Sequence, residues 1–168
     1  TQIVNDMRAL YAPHWQRRQL QNGSYAESRY PKVPGVLLEL LSHQNYNDMR
    51  YGLDPRVKFT VSRAIYKSML RFIHAQYGTE YVVQPLPVQS MQMNRTENEL
   101  TIHWEPTIDP LESTATPTYY IIYTRQDNGD WDNGTRIINS TYSFTATTGI
   151  RYDFRVVAGN AGGISMPS

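Results

Sequence analysis

Apolar residues at the start of the chain recur at helical spacing. Ile3, Val4, Met7, Leu10 and Tyr11 share one face, and Pro13 then ends or kinks the segment. Residues 16–33 are polar and carry Asn22-Gly23 and Pro31, which predicts a loop. Between Val36 and Leu40 the pattern becomes a short continuous apolar run bounded by Pro34-Gly35. Such a run predicts a strand buried on both faces, as in a parallel sheet. A second helix follows. Asp54 suits the N-cap and Pro55 the first helical position. Val57, Val61, Ala64, Ile65, Met69, Phe72 and Ile73 form its stripe, and Gly78 is placed to stop it.

From about residue 84 the grammar changes. Pro85-Leu86-Pro87 reads as a linker, and short alternating runs separated by turns come after it. Leu100, Ile102 and Trp104 share one face of a strand; Tyr119–Tyr123 form another run. Asp127-Asn128-Gly129 and Asn133-Gly134 are turn signals. Tyr142 and Phe144 alternate, as do Tyr152, Phe154, Val156 and Ala158. Several short strands at this spacing predict a β-sandwich. The fold class is therefore an α+β chain in two parts. Residues 1–80 read helix–strand–helix, 81–87 are a linker, and 88–168 are an all-β, immunoglobulin-like sandwich.

Charge and composition narrow the function classes. The 168 residues carry a net charge of +1, which gives no electrostatic case for nucleic acid or an anionic membrane surface. No apolar stretch approaches the roughly 20 residues that cross a bilayer. Thr1–Asn5 is polar and has no basic region of the signal-peptide type, although processing from a longer precursor is compatible with this. With no cysteine, disulfides and thiolate metal sites are excluded. One charge is out of pattern. Glu39 sits inside an aliphatic run, where a carboxylate costs several kcal/mol unless something pairs with it or uses it.

The second part resembles a fibronectin type III domain. The resemblance rests on Trp104, on Pro106 after it, and on the run Tyr152-Asp153-Phe154-Arg155-Val156-Val157-Ala158-Gly159-Asn160-Ala161-Gly162-Gly163. It implies structural roles for Trp104, in the core, and for Tyr152, as a corner tyrosine bonded to nearby backbone. In secreted bacterial enzymes such modules are commonly spacers or binding modules.

Residues 1–80 resemble the C-terminal part of a zinc-dependent N-acetylmuramoyl-L-alanine amidase, which cleaves peptidoglycan between sugar and stem peptide. The resemblance is carried by Pro34-Gly35-Val36-Leu37-Leu38-Glu39, by Asn45 at the end of the following loop, by Asp48, and by the Asp54-Pro55 start of the closing helix. It implies that Glu39 is the catalytic glutamate, assisting attack of zinc-bound water on the amide and returning the proton to the leaving amine. His43 and Asn45 become substrate-side candidates. Where the family has Gly-Phe after its Glu-Leu pair, this chain has Leu41-Ser42, which alters the pocket beside the carboxylate. The family's zinc ligands, two histidines and a glutamate, come from upstream segments with no counterpart here. Zinc is thus expected for a full-length protein and not for this chain alone, which is expected to be inactive. The resemblance implies that the chain is part of a longer protein or is completed by another chain. Peptidoglycan or another cell-surface glycan is the implied partner, and the extracellular space, periplasm or cell surface the implied location.

Other readings stand beside these. Glu39 as a structural residue would cap a neighbouring helix or pair with Arg50 or Arg63. His14, His74 and His103 read as loop, helix-end and solvent-facing residues. Asp109, Glu112, Asp127, Asp130 and Asp132 do not have EF-hand spacing and read as solvated loop residues. Trp131 and the tyrosines of 119–123 fit either a sandwich core or a sugar-stacking platform. The alternative functions are a non-catalytic carbohydrate-binding or adhesion protein, and an enzyme of the xanthan lyase-like type acting on another polysaccharide.

Overall fold

In the computed structural model, which describes residues 1–33 and 35–168, the longest helix is α4 (Pro55–Tyr77). It begins where Asp54 Oδ1 accepts the Arg56 backbone N–H at 2.9 Å, one of the donors a helix start leaves unpaired. It ends at Gly78, whose φ of +66° strains an L side chain but not glycine. The Gly78 N–H closes onto the His74 carbonyl at 2.8 Å. The chain forms two compact units, Thr1–Met69 and Leu70–Ser168.

In the first unit, α1 (Gln2–Leu10) is tied to α4 by polar contacts as much as by apolar ones. Lys67 Nζ lies 2.7 Å from Asp6 Oδ2, with the two side chains only 1% and 5% exposed. Gln2 donates to Asp6 Oδ1 at 2.6 Å, and the Tyr11 and Thr60 hydroxyls bond at 3.1 Å. The apolar part of this seam is Val4, Met7, Val57 and Ala64. The buried positions of α4 are Val57, Thr60, Ala64 and Lys67, spaced by three and four residues. The expected stripe therefore shifts: Met69, Phe72 and Ile73 are exposed, and an ion pair takes the seam at Lys67.

No strand forms between Val36 and Leu40, which corrects the helix–strand–helix reading of residues 1–80. Val36 and Leu37 are 73% and 44% exposed. Pro34, also part of that reading, lies outside the described residues. The physical reason is backbone pairing. A strand buried on both faces needs neighbours on both edges, and every strand among the described residues lies beyond residue 88. The loop of 16–33 contains one helical turn, α2 (Ala26–Arg29), and α3 (Tyr46–Gly52) follows the aliphatic run.

The second unit is an antiparallel sandwich of seven strands: β1 (Gln89–Thr96), β2 (Glu99–Glu105), β3 (Tyr119–Gln126), β4 (Thr135–Ile137), β5 (Thr141–Thr145), β6 (Tyr152–Asn160) and β7 (Gly163–Ile164). One sheet has the order β1-β2-β5 and the other β4-β3-β6-β7. Alternation explains the core. Ile102 and Trp104 from β2, Tyr120 and Ile122 from β3, and Val156 and Ala158 from β6 point between the sheets with Val88. Asp127 and Asn128 have positive φ, as both central residues of a type I′ turn require, and Gly129 N–H bonds the Gln126 carbonyl at 2.7 Å.

The segment read as a linker is packed onto this sandwich. Val83 is fully buried, and its N–H donates to Thr114 Oγ1 at 3.1 Å. The buried Asn160 amide shares its hydrogens among the carbonyls of Val83, Thr114 and Thr116, at 2.9, 3.0 and 3.3 Å. The proline-rich composition hid this anchoring, because the bonds run to residues distant in sequence.

Candidate functional site

Glu39 lies in an irregular, exposed segment and has no hydrogen bond or ion pair among the described residues. The pairing with Arg50 or Arg63 considered above does not form. Its neighbours Leu40 and Leu41 line an apolar cavity of about 340 Å³ together with Ile3, Trp15, Val57 and Ile65. After it the chain is well organised. Ser42 N–H donates to Asp48 Oδ2 at 2.9 Å, and Gln44 N–H reaches Ser42 Oγ at 3.3 Å. Asn45 caps α3: its side-chain oxygen accepts from Asn47 N–H at 2.9 Å and from Asp48 N–H at 3.4 Å. The Asn45 carbonyl oxygen is thereby committed to the backbone. His43 projects from this loop and is exposed.

Among the described residues, no three His, Asp or Glu side chains come together in a way that would hold a metal ion. Glu39 and His43 do not by themselves make the tetrahedral donor set zinc requires. Nor is any helix among the described residues long and apolar enough to cross a membrane.

In the second unit, Trp104 is fully buried and meets Tyr120 edge to face, with ring centres 5.4 Å apart. The Tyr152 hydroxyl accepts the Thr147 N–H at 3.2 Å, and its ring packs against Phe144 at 4.9 Å. Burial pushes the Tyr120 phenol above its ordinary value.

The opposite face of the β4-β3-β6 strands carries a group of which pattern reading singled out the aromatic residues and missed the arginines. Arg155 lies over both Tyr123 and Trp131, 4.5 Å from each ring centre. Arg125 is 4.9 Å from Trp131, and Arg136 is 3.8 Å from Tyr119. Tyr119 pairs with Gly159, and a Cβ there would meet the tyrosine ring, so glycine lets the ring lie across β6. Asp153 binds Arg125 at 2.8 Å and Arg151 at 2.9 Å, which holds its carboxyl below the usual range, Arg125 contributing most. The signal was present: Tyr119, Tyr123 and Arg125 occupy alternate positions of one strand, facing away from Tyr120 and Ile122.

Comparison with known proteins agrees with the second unit. Residues 86–168 match the fibronectin type III domain family. Among solved structures, the twitchin kinase region of C. elegans is 24% identical, covering 50% of this chain and 15% of that one, with a TM-score of 0.44. A fourth FNIII domain from human is 19% identical over 54% of this chain and 78% of its own length, with a TM-score of 0.46. Rat CD45 domains d3–d4 are 16% identical over 52% of this chain and 48% of theirs, with a TM-score of 0.44. The chain thus spans less than two thirds of the twitchin and CD45 structures. No curated protein matches. Residues 86–168 of this chain are a fibronectin type III domain.

Proposed function

We propose that residues 1–80 are the closing part of an amide hydrolase of the N-acetylmuramoyl-L-alanine amidase type, acting on peptidoglycan outside the cytoplasm, with the fibronectin type III domain as an accessory module. One observation carries this reading. The aliphatic run around Glu39 is left in water by its own chain, with Val36, Leu37, Leu38 and Leu40 between 44% and 73% exposed. A contiguous apolar surface of this kind marks a contact with further structure. Covering the run would exclude water around Glu39 and bring its carboxylate against whatever packs there, as proton transfer at a closed site requires.

In this reading a Glu39 carboxylate oxygen takes the proton from the attacking water and gives it to the leaving amine nitrogen. The Asn45 cap and the Asp48–Ser42 bond hold the loop after it, and His43 faces the substrate side. The described residues do not come together as a zinc site, and this reading requires the metal ligands to be supplied from outside them. The isolated chain is expected to be inactive.

The test uses the protein in which this sequence is joined to the residues that complete the fold. Stem-peptide release from peptidoglycan and bound zinc are measured together. Glu39→Gln should lower release at least about a hundredfold, the usual scale of a lost general base. Unchanged activity in that variant, or a completed protein without zinc, would sink the proposal.

A further inference from the structure

Three asparagines of the second unit begin the triplet that N-linked glycosylation recognises: Asn, any residue but proline, then Ser or Thr. The triplets are Asn94-Arg95-Thr96, Asn133-Gly134-Thr135 and Asn139-Ser140-Thr141. The three asparagines and the three threonines are all exposed. Among the described residues, none of these asparagine side chains has a hydrogen bond. Asparagines with structural work in the same unit lack the triplet. Asn160, which clamps Val83, Thr114 and Thr116, is followed by Ala161-Gly162. Asn128, in the turn after β3, is followed by Gly129-Asp130.

The three triplets share a place in the fold. β1 and β5 are the edges of one sheet, and β4 and β7 those of the other. Asn94 lies in β1, the Asn133 triplet ends on the first residue of β4, and Asn139 stands between β4 and β5. None of the three falls on the central strands β2, β3 and β6. Register fixes the direction of Asn94. Met93 stands opposite the core residue Ile102, so Asn94, opposite Thr101, faces outward. Small hydroxyl residues surround it there, with Thr101 and Ser143 bonded at 3.3 Å. A bulky hydrophilic group on Asn94 therefore stays in water when the sandwich closes. Edge strands present unpaired backbone groups to other chains, and bulky groups at these positions obstruct that pairing.

We propose that Asn94, Asn133 and Asn139 are sites of N-linked glycosylation. The donor class is an oligosaccharide carried on a polyprenyl diphosphate. Asparagine Nδ2 bonds to the anomeric carbon, the bond from that carbon to the diphosphate oxygen breaks, and polyprenyl diphosphate leaves. One amide proton passes to a base of the transferase, and nothing is oxidised or reduced. From the hydrolase reading this proposal takes only the location outside the cytoplasm.

The experiment is glycopeptide mapping by mass spectrometry of the protein recovered from its own source, beside Thr135→Ser and Thr135→Ala variants made there. Sugar mass should appear on Asn94, Asn133 and Asn139. Thr135→Ser should keep the sugar on Asn133, and Thr135→Ala should lose it there while Asn94 and Asn139 keep theirs. Glu39→Gln should carry the same sugars as the parent, whatever its effect on stem-peptide release, so the two proposals fail separately. Sugar on none or only one of the three asparagines would overturn this one. So would full modification of Asn133 in Thr135→Ala, or sugar confined to Asn22, whose triplet Asn22-Gly23-Ser24 lies on no strand. Thr135 is exposed, and the Asn94 and Asn139 sites keep the test valid if its variants do not fold.

Discussion

The two units dispose of their apolar residues in opposite ways. In the fibronectin type III unit, Ile102, Trp104, Ile122, Val156 and Ala158 are all but removed from water. In Thr1–Met69, the aliphatic run around Glu39, with Leu53 and Phe59, stays exposed. One of its enclosed contacts is ionic, between Asp6 and Lys67. Hydrophobic residues alone therefore do not make a core. Strands with paired edges let the second unit close on itself, whereas the described residues of the first have apolar surface and no sheet to receive it.

The largest effect should come from removing the centre of the closed unit. Trp104→Ala should cost about 3–5 kcal/mol and lower the denaturant midpoint of the sandwich, followed by near-ultraviolet circular dichroism. A loss below about 1 kcal/mol would contradict the core described here. Next comes the ionic seam. Lys67→Ala strands the Asp6 carboxylate in a buried position and should destabilise the first unit by about 3 kcal/mol. Asp6→Leu combined with Lys67→Met should recover most of that loss. Failure of the double variant to recover would mean that the pair does more than fill the seam.

A smaller change is expected at the loop after Glu39. Asn45→Ala removes the α3 cap and should cost about 1 kcal/mol, read as faster amide exchange at Asn47 and Asp48. The weakest effect concerns pH. Arg125 and Arg151 lower the Asp153 pKa from its ordinary 3.8, so its contribution is present above that value and lost as pH falls through the lower, folded one. The melting temperature of the sandwich should drop on acidification below pH 3.8, and Asp153→Asn should flatten that part of the curve.

These contrasts also mark what could be read from residue order. Alternation in Leu100–Trp104 located a central strand, because β2 has one wet and one dry face; the pattern of Tyr152–Ala158 located β6 as well, although that strand is enclosed on both faces toward its end. Asp54, Pro55 and Gly78 located α4, because caps are local chemistry. Non-local choices were hidden. Nothing near Lys67 announces Asp6 as its partner, and the prolines around Leu86 conceal bonds to Asn160. At Val36–Leu40 the pattern described the residues but not the missing neighbours, and the structure follows the neighbours. At the candidate site, Glu39 stood out by chemistry, whereas the Arg155 stack required knowing which strands lie side by side.

The Asn160 amide has a mechanical consequence. It joins Val83, where the chain enters the sandwich, to the end of β6. Tension applied through the preceding residues would reach this clamp before it reached β1. Load entering at Val83 would therefore meet a side-chain clamp on three carbonyls and not only the edge of a sheet.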